Sequence, residues 1–180
     1  MTLLAPRLTA AALAATLSFA ALGAQEVTKQ QVAGITNFAR LETTIACGGA
    51  TKPEAIAELK KMGFASVVNL RMASEPGNDI AAEEAAAKAV GMRFIHIPYD
   101  VASTDPVVGD RFLAEIGQPG AQPAYIHCAG GSRAAGVWLI KRVLVDKWDL
   151  EKATKEATDL GLANERVKQY ALAYIKAHSK

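Results

Sequence analysis

The chain has 180 residues, of which 51% are hydrophobic and 21% charged. That gives room for one ordinary domain with its own core and argues against disorder. A formal charge of only +2 provides no electrostatic footprint for nucleic acid or an anionic membrane face, so any anion-binding function must come from a local site.

In chain order, Met1–Arg7 carries one positive charge and no acid, and Leu8–Leu22 is almost wholly apolar and small. Ala21-Leu22-Gly23-Ala24 then offers a cleavage site before polar Gln25-Glu26. Residues 1–24 are therefore expected to be a signal peptide, too short and alanine-rich for a comfortable membrane span. The mature protein is expected to be periplasmic or secreted, with no stable membrane association. Its charge balance is 19 basic against 18 acidic side chains. Residues 25–35 are expected to be a linker and 36–180 the folded domain.

Two short strands are expected at Asn37–Leu41 and Thr43–Cys47, ending in the turn Cys47-Gly48-Gly49-Ala50. Thr51 has the form of a helix N-cap, with Pro53 and Glu54 behind it, for a helix running to Met62 and stopped by Gly63. Ala65–Leu70 has the length and apolarity of a buried strand. Glu75-Pro76-Gly77-Asn78 marks a loop, and Asp79 is placed to cap a helix over 80–90 that ends at Gly91. A strand follows at Arg93–Ile97, broken by Pro98, and Asp105-Pro106 opens a helix to about Ile116. Ala124–His127 is the next strand, a helix starts at Arg133, and two more helices are expected near 149–160 and 164–177. Alternating strands and helices of this length predict an α/β fold whose central sheet is flanked by helices on both faces. Ligands of such sheets sit beyond the carboxyl ends of the strands.

Tyr125-Ile126-His127-Cys128-Ala129-Gly130-Gly131-Ser132-Arg133 runs from strand through a small-residue loop to a helix start. Glycines let successive N–H groups turn inward around one point, and the helix aims its first amides at the same point. Donors of that kind favour a thiolate, the nucleophilic form of Cys128. Ala129, Gly130, Gly131 and Ser132 are the expected phosphate-binding residues, together with Arg133, whose planar fork suits two anion oxygens. The Ser132 hydroxyl is a further candidate donor. His127 either orients the loop or is a satisfied core histidine. Cys47 and Cys128 show no CxxC spacing, and His96, His127 and His178 do not cluster with them, so neither a metal nor a cofactor is expected.

Cys47-Gly48-Gly49-Ala50-Thr51, then Gly63-Phe64 leading to Val67-Val68-Asn69-Leu70-Arg71, then Gly91 leading to His96-Ile97-Pro98, then His127-Cys128 with Arg133 and Trp138 resemble the bacterial beta-lactamase-hydrolase-like phosphatase-like domains. These belong to the dual-specificity and tyrosine phosphatase superfamily. The resemblance, from about Thr36 to Val145, implies a mostly parallel sheet of four or five strands. It also implies thiolate attack on a phosphate monoester, of a phosphoprotein or a small phosphorylated substrate, through a cysteinyl-phosphate.

Two features depart from well-characterised tyrosine phosphatases. Four residues rather than five separate Cys128 from Arg133, and Ala134 stands where relatives often carry a hydroxyl. A four-residue spacing also occurs in rhodanese sulfurtransferases, so a Cys128 persulfide carrier is an alternative, and a non-catalytic anion-binding module is a third. A phosphatase needs a general acid. Asp100 lies in the loop where relatives place theirs, and Asp105 is the second candidate. Arg71 and Glu75 are expected on the same rim, holding each other or the loop, with a solvated surface pair as the competing reading. Cys47 is expected to be a small buried residue, with a reversible Cys47–Cys128 disulfide as the alternative.

Overall fold

The computed structural model describes residues 26–42 and 44–179, so the expected signal peptide lies outside the described residues. Among these residues six strands form one sheet: β1 (Val27–Lys29), β2 (Ala39–Leu41), β3 (Ile45–Gly48), β4 (Ser66–Asn69), β5 (Arg93–His96) and β6 (Ala124–His127), in the spatial order β1-β2-β3-β6-β4-β5. Neighbours from β3 to β5 are parallel, and β1 and β2 add an antiparallel edge. This makes six strands where four or five were expected. The extra one is β1, which falls in the expected linker and pairs Val27–Lys29 with Leu41–Ala39. Three residues with no alternating pattern carry no strand signal of their own; pairing to β2 creates the strand.

Strands β3, β4 and β6 are buried along their whole length, as parallel strands covered on both faces must be. One face packs α1 (Ile56–Lys61) and α2 (Ile80–Ala89), with Phe38, Leu59, Phe64, Val67 and Tyr125 in its core. The other packs α3 (Val107–Ile116), α4 (Ser132–Leu144), α5 (Leu150–Asp159) and α6 (Glu165–His178). Its larger core holds Val68, Ile126, Cys128, Phe112 and Trp138. Helix α4 is enclosed on nearly every side because α5 and α6 cover what the sheet does not.

Local capping chemistry sets the helix starts. Asp79, Asp149 and Asn164 each accept from a backbone N–H three residues on, at 3.0, 2.8 and 3.2 Å. Thr51 differs from expectation. It is buried and bonds the Tyr125 hydroxyl at 2.7 Å, and a short 3-10 turn at Pro53–Ala55 leads into α1 without a side-chain cap. Its hydroxyl is spent on a buried phenol and on Gly49 O, to which it donates at 3.1 Å. Among the described residues no helix is long and apolar enough to cross a membrane.

Candidate active site

Strand β6 lies between β3 and β4, so the loop leaving its carboxyl end emerges at the middle of the parallel sheet. Cys128 is the first residue of that loop, and its N–H donates to Gly48 O at 3.2 Å. The next carbonyls are drawn outward: Ala129 O accepts from Ala50 N at 2.9 Å and Gly130 O from Asn37 Nδ2 at 3.1 Å. With the oxygens so engaged, the amides turn inward. Gly131, at φ +107°, donates its N–H to Cys128 Sγ at 3.1 Å. Helix α4 then begins with no side-chain cap and no acid in its first turn, leaving its positive end open to an anion.

The turn after β3 is the backing of this nest. A Cβ on Gly49 would stand 2.2 Å from Thr36 Oγ1 and 2.9 Å from Ala129 O, so only glycine fits there. Neither that role nor Asn37, which holds Gly130 from a left-handed backbone at φ 51°, was apparent in the sequence. The doubled glycine was the available signal.

Arg133 is almost wholly buried and its guanidinium is fixed on one end. Nη1 donates to Leu70 O, Tyr99 O and Glu75 Oε1 at 3.1, 2.9 and 2.6 Å, and Nη2 donates to Glu75 Oε2 at 2.8 Å. Glu75 thus grips the Nη1–Nη2 end, which leaves the Nε–Nη2 side for a second planar partner. Burial works against the Arg133 charge, and the Glu75 carboxylate and the Cys128 sulfur more than offset it, so its pKa is raised.

Glu75 itself is the hub. It accepts from Arg71 Nε at 3.3 Å and from Met72 N at 2.8 Å as well as from Arg133. Partial burial opposes its ionisation, but the bonds and charges of Arg133, the Met72 N–H and Arg71 outweigh that and bring its pKa down to about 2. Arg71 is 3% exposed, so the pair with Glu75 is not a solvated surface contact. It holds Arg133 and its own loop.

Asp100 is exposed and lines the same cavity as Cys128, Arg133, Glu75 and Met72, a space of about 400 Å³. One of its oxygens closes a turn by accepting Ala102 N at 2.9 Å, which leaves the other free. Asp105 caps α3 instead, accepting Val107 N at 2.9 Å, and does not line the cavity. The Ser132 hydroxyl does not donate into the nest. It gives its proton to Gly161 O at 2.9 Å and accepts from Ala163 N and Asn164 N, bracketing the start of α4 to the α5–α6 turn. The expected hydroxyl donor is therefore a structural clasp, although its residue lines the cavity.

Cys47 and Cys128 are both free thiols. Cys47 faces Ile126 in the β3–β6 register; burial pushes its thiol pKa well up, and the charges of Cys128 and Glu156 push the same way. Larger clefts lie beside Lys52 and Glu58 (about 860 Å³) and beside Tyr170 (about 620 Å³), but neither contains Cys128 or Arg133. Chemistry, not volume, marks the site. Among the described residues no group of three or more His, Cys, Asp or Glu side chains stands ready to hold a metal.

A sheet with this order and a cysteine–arginine nest at its carboxyl edge defines a tyrosine-phosphatase-like fold. Residues 37–145 match the model of the beta-lactamase hydrolase-like protein, phosphatase-like domain, and the chain belongs to that family. It is similar in fold to a putative phosphatase from Shewanella putrefaciens CN-32, at 17% identity and a TM-score of 0.68 over 82% of this chain and 96% of that one. P. aeruginosa TpbA in complex with pTyr shares 19% identity, with a TM-score of 0.63 over 86% and 91% of the two chains. The core catalytic domain of the S. cerevisiae PP-IP phosphatase SIW14, in complex with citrate, shares 19% at 0.58 over 74% and 84%. No curated protein matches the chain.

Proposed function

We propose that this chain hydrolyses phosphate monoesters with Cys128 as nucleophile. The carrying observation is the half-committed guanidinium: Glu75 holds one end of Arg133, and the other side is left for two oxygens of a phosphate seated over Cys128. The Cys128 thiolate attacks phosphorus, the ester P–O bond breaks, and Asp100 gives its proton to the departing oxygen. A water then attacks the cysteinyl-phosphate, Asp100 takes the water's proton, and the S–P bond breaks to release phosphate and thiolate. The Gly131 N–H on Sγ stabilises the thiolate as it leaves, in a site where Ala134 supplies no hydroxyl.

Among the described residues lining the cavity, Arg133 is the single cation, which supports a substrate with one phosphate on a protein or a small molecule. TpbA's complex with pTyr makes an aryl phosphate the first substrate to try. The signal-like composition of residues 1–24 supports a reaction after export, in the periplasm or outside the cell. Assaying the mature chain with an aryl phosphate, and separately with thiosulfate plus cyanide, tests the reading. Phosphate release with no thiocyanate is expected; thiocyanate alone would establish the persulfide carrier, and neither product the anion-binding module.

A further inference from the structure

On the sheet face away from Cys128 sits a polar cluster that the chemistry above does not use. Glu83 of α2, His127 of β6 and Asn69 of β4 are each fully enclosed, at 0% exposure. Asn69 and His127 face each other in the β4–β6 register. Glu83 Oε2 accepts from Asn69 Nδ2 at 2.7 Å and lies 3.2 Å from His127 Nε2, while Glu83 Oε1 has no hydrogen-bond partner among the described residues. A buried carboxyl oxygen without a hydrogen-bond partner is costly.

What Asn69 does with the rest of its amide connects this cluster to the anion site. Its second Nδ2 hydrogen goes to Asn78 Oδ1 at 2.9 Å, and its Oδ1 accepts Arg71 N at 2.8 Å. It therefore grips both ends of the 71–78 loop. Asn78 Nδ2 closes that loop on Met72 O at 2.9 Å, and Arg71 pins Gly77 O and Pro76 O at 3.0 and 2.5 Å. The product of this bracing is the placement of Glu75 against Arg133.

We propose that Asn69 and Glu83 are positioning residues for the anion clamp: Glu83 orients the Asn69 amide, Asn69 sets the 71–78 loop, and the loop presents Glu75 to Arg133. The proposal rests on reading Cys128–Arg133 as an anion site and uses no titration. Its measure is tungstate affinity, which does not require turnover. A chain that binds tungstate but hydrolyses nothing defeats the function above and leaves the relay testable.

The experiment is a double-mutant cycle read by calorimetry with tungstate and by hydrogen exchange of the 71–78 amides. Asn69→Ala and Glu83→Gln are each expected to weaken tungstate by about tenfold and to raise exchange across 71–78. Asn78→Ala, which leaves the buried cluster intact, serves where a core variant fails to fold and is expected to act in the same direction. In a Glu75→Gln background none of the three should weaken binding further, because the relay then has nothing to present. Losses that add to that of Glu75→Gln, unchanged affinity in the single variants, or a wild type that binds no tungstate would each overturn the relay. A merely structural role lowers melting temperature in both backgrounds alike and shows no such coupling.

Discussion

Two loops meet over the cavity, and they hold their shapes by different means. The Cys128–Gly131 loop is built from backbone: its carbonyls are tied to Ala50 N and Asn37 Nδ2, and its last amide reaches Cys128 Sγ. The 71–78 loop is built from side chains, with Asn69, Arg71, Glu75 and Asn78 supplying the bonds that shape it. Backbone donors are lost only to proline and are otherwise merely displaced, so the first loop is sensitive mainly to added volume. The second depends on charge and amide groups, so it is sensitive to chemistry and to pH. On the proposed function, the first loop supplies fixed anion recognition and the second an adjustable clamp.

The largest expected effect tests the proposed nucleophile on the backbone loop. Cys128→Ser should cut turnover of an aryl phosphate by about a thousandfold or more while keeping tungstate binding, since a hydroxyl stays un-ionised at neutral pH. Undiminished turnover removes Cys128 from the mechanism. Arg133→Lys, where the two loops join, should cost about 2–4 kcal/mol of transition-state stabilisation, by analogy with a lost oxyanion donor. Kinetics close to wild type would mean the bidentate side is unused.

Asp100→Asn should slow esters with poor leaving groups by about a hundredfold and those with good ones much less. Equal slowing would disqualify Asp100. Gly49→Ala forces a Cβ towards Thr36 Oγ1 and Ala129 O and should cost about 1–3 kcal/mol of stability, with weakened anion binding. A neutral melting curve would show that the nest does not lean on that turn.

Glu75→Gln probes the other loop and should reduce kcat/KM by about tenfold, the scale of one hydrogen bond to a charged group. It also carries a pH signature. The folded-state pKa of Glu75 is lowered from 4.5 to about 2, so its contribution to stability is fully present above pH 4.5 and fades as pH falls through about 2. Acid unfolding of wild type should therefore steepen in that window, and the Gln variant should lose that component. Identical acid profiles would break the contrast between the loops.

How much was legible follows the same division. Tyr125–Arg133 announces itself because a backbone nest needs small residues in a run, and Asp79 and Gly91 mark α2 for equally local reasons. Glu75 was legible only as a neighbour of Arg71. Its main partner, Arg133, lies 58 residues away, and no local pattern encodes a contact at that distance. The same holds for Asn37, whose partner Gly130 is 93 residues on, and for Thr51, whose capping form concealed a bond to Tyr125 74 residues away. Ser132 misled for the opposite reason: its position in the loop suited a phosphate donor, but the α5–α6 turn had claimed its hydroxyl.

That clasp bears on where the smallest self-sufficient folding unit ends. The family match stops at residue 145, yet Ser132 is tied to Gly161, Ala163 and Asn164. Helix α6 presses so closely on α4 that a Cβ on Gly136 would stand 2.4 Å from Val167 Cγ1. A fragment trimmed to the matched segment would strip Glu156 from Trp138 and Val167 from Gly136, and release the first turn of α4. The folded unit of this chain therefore runs past the matched segment.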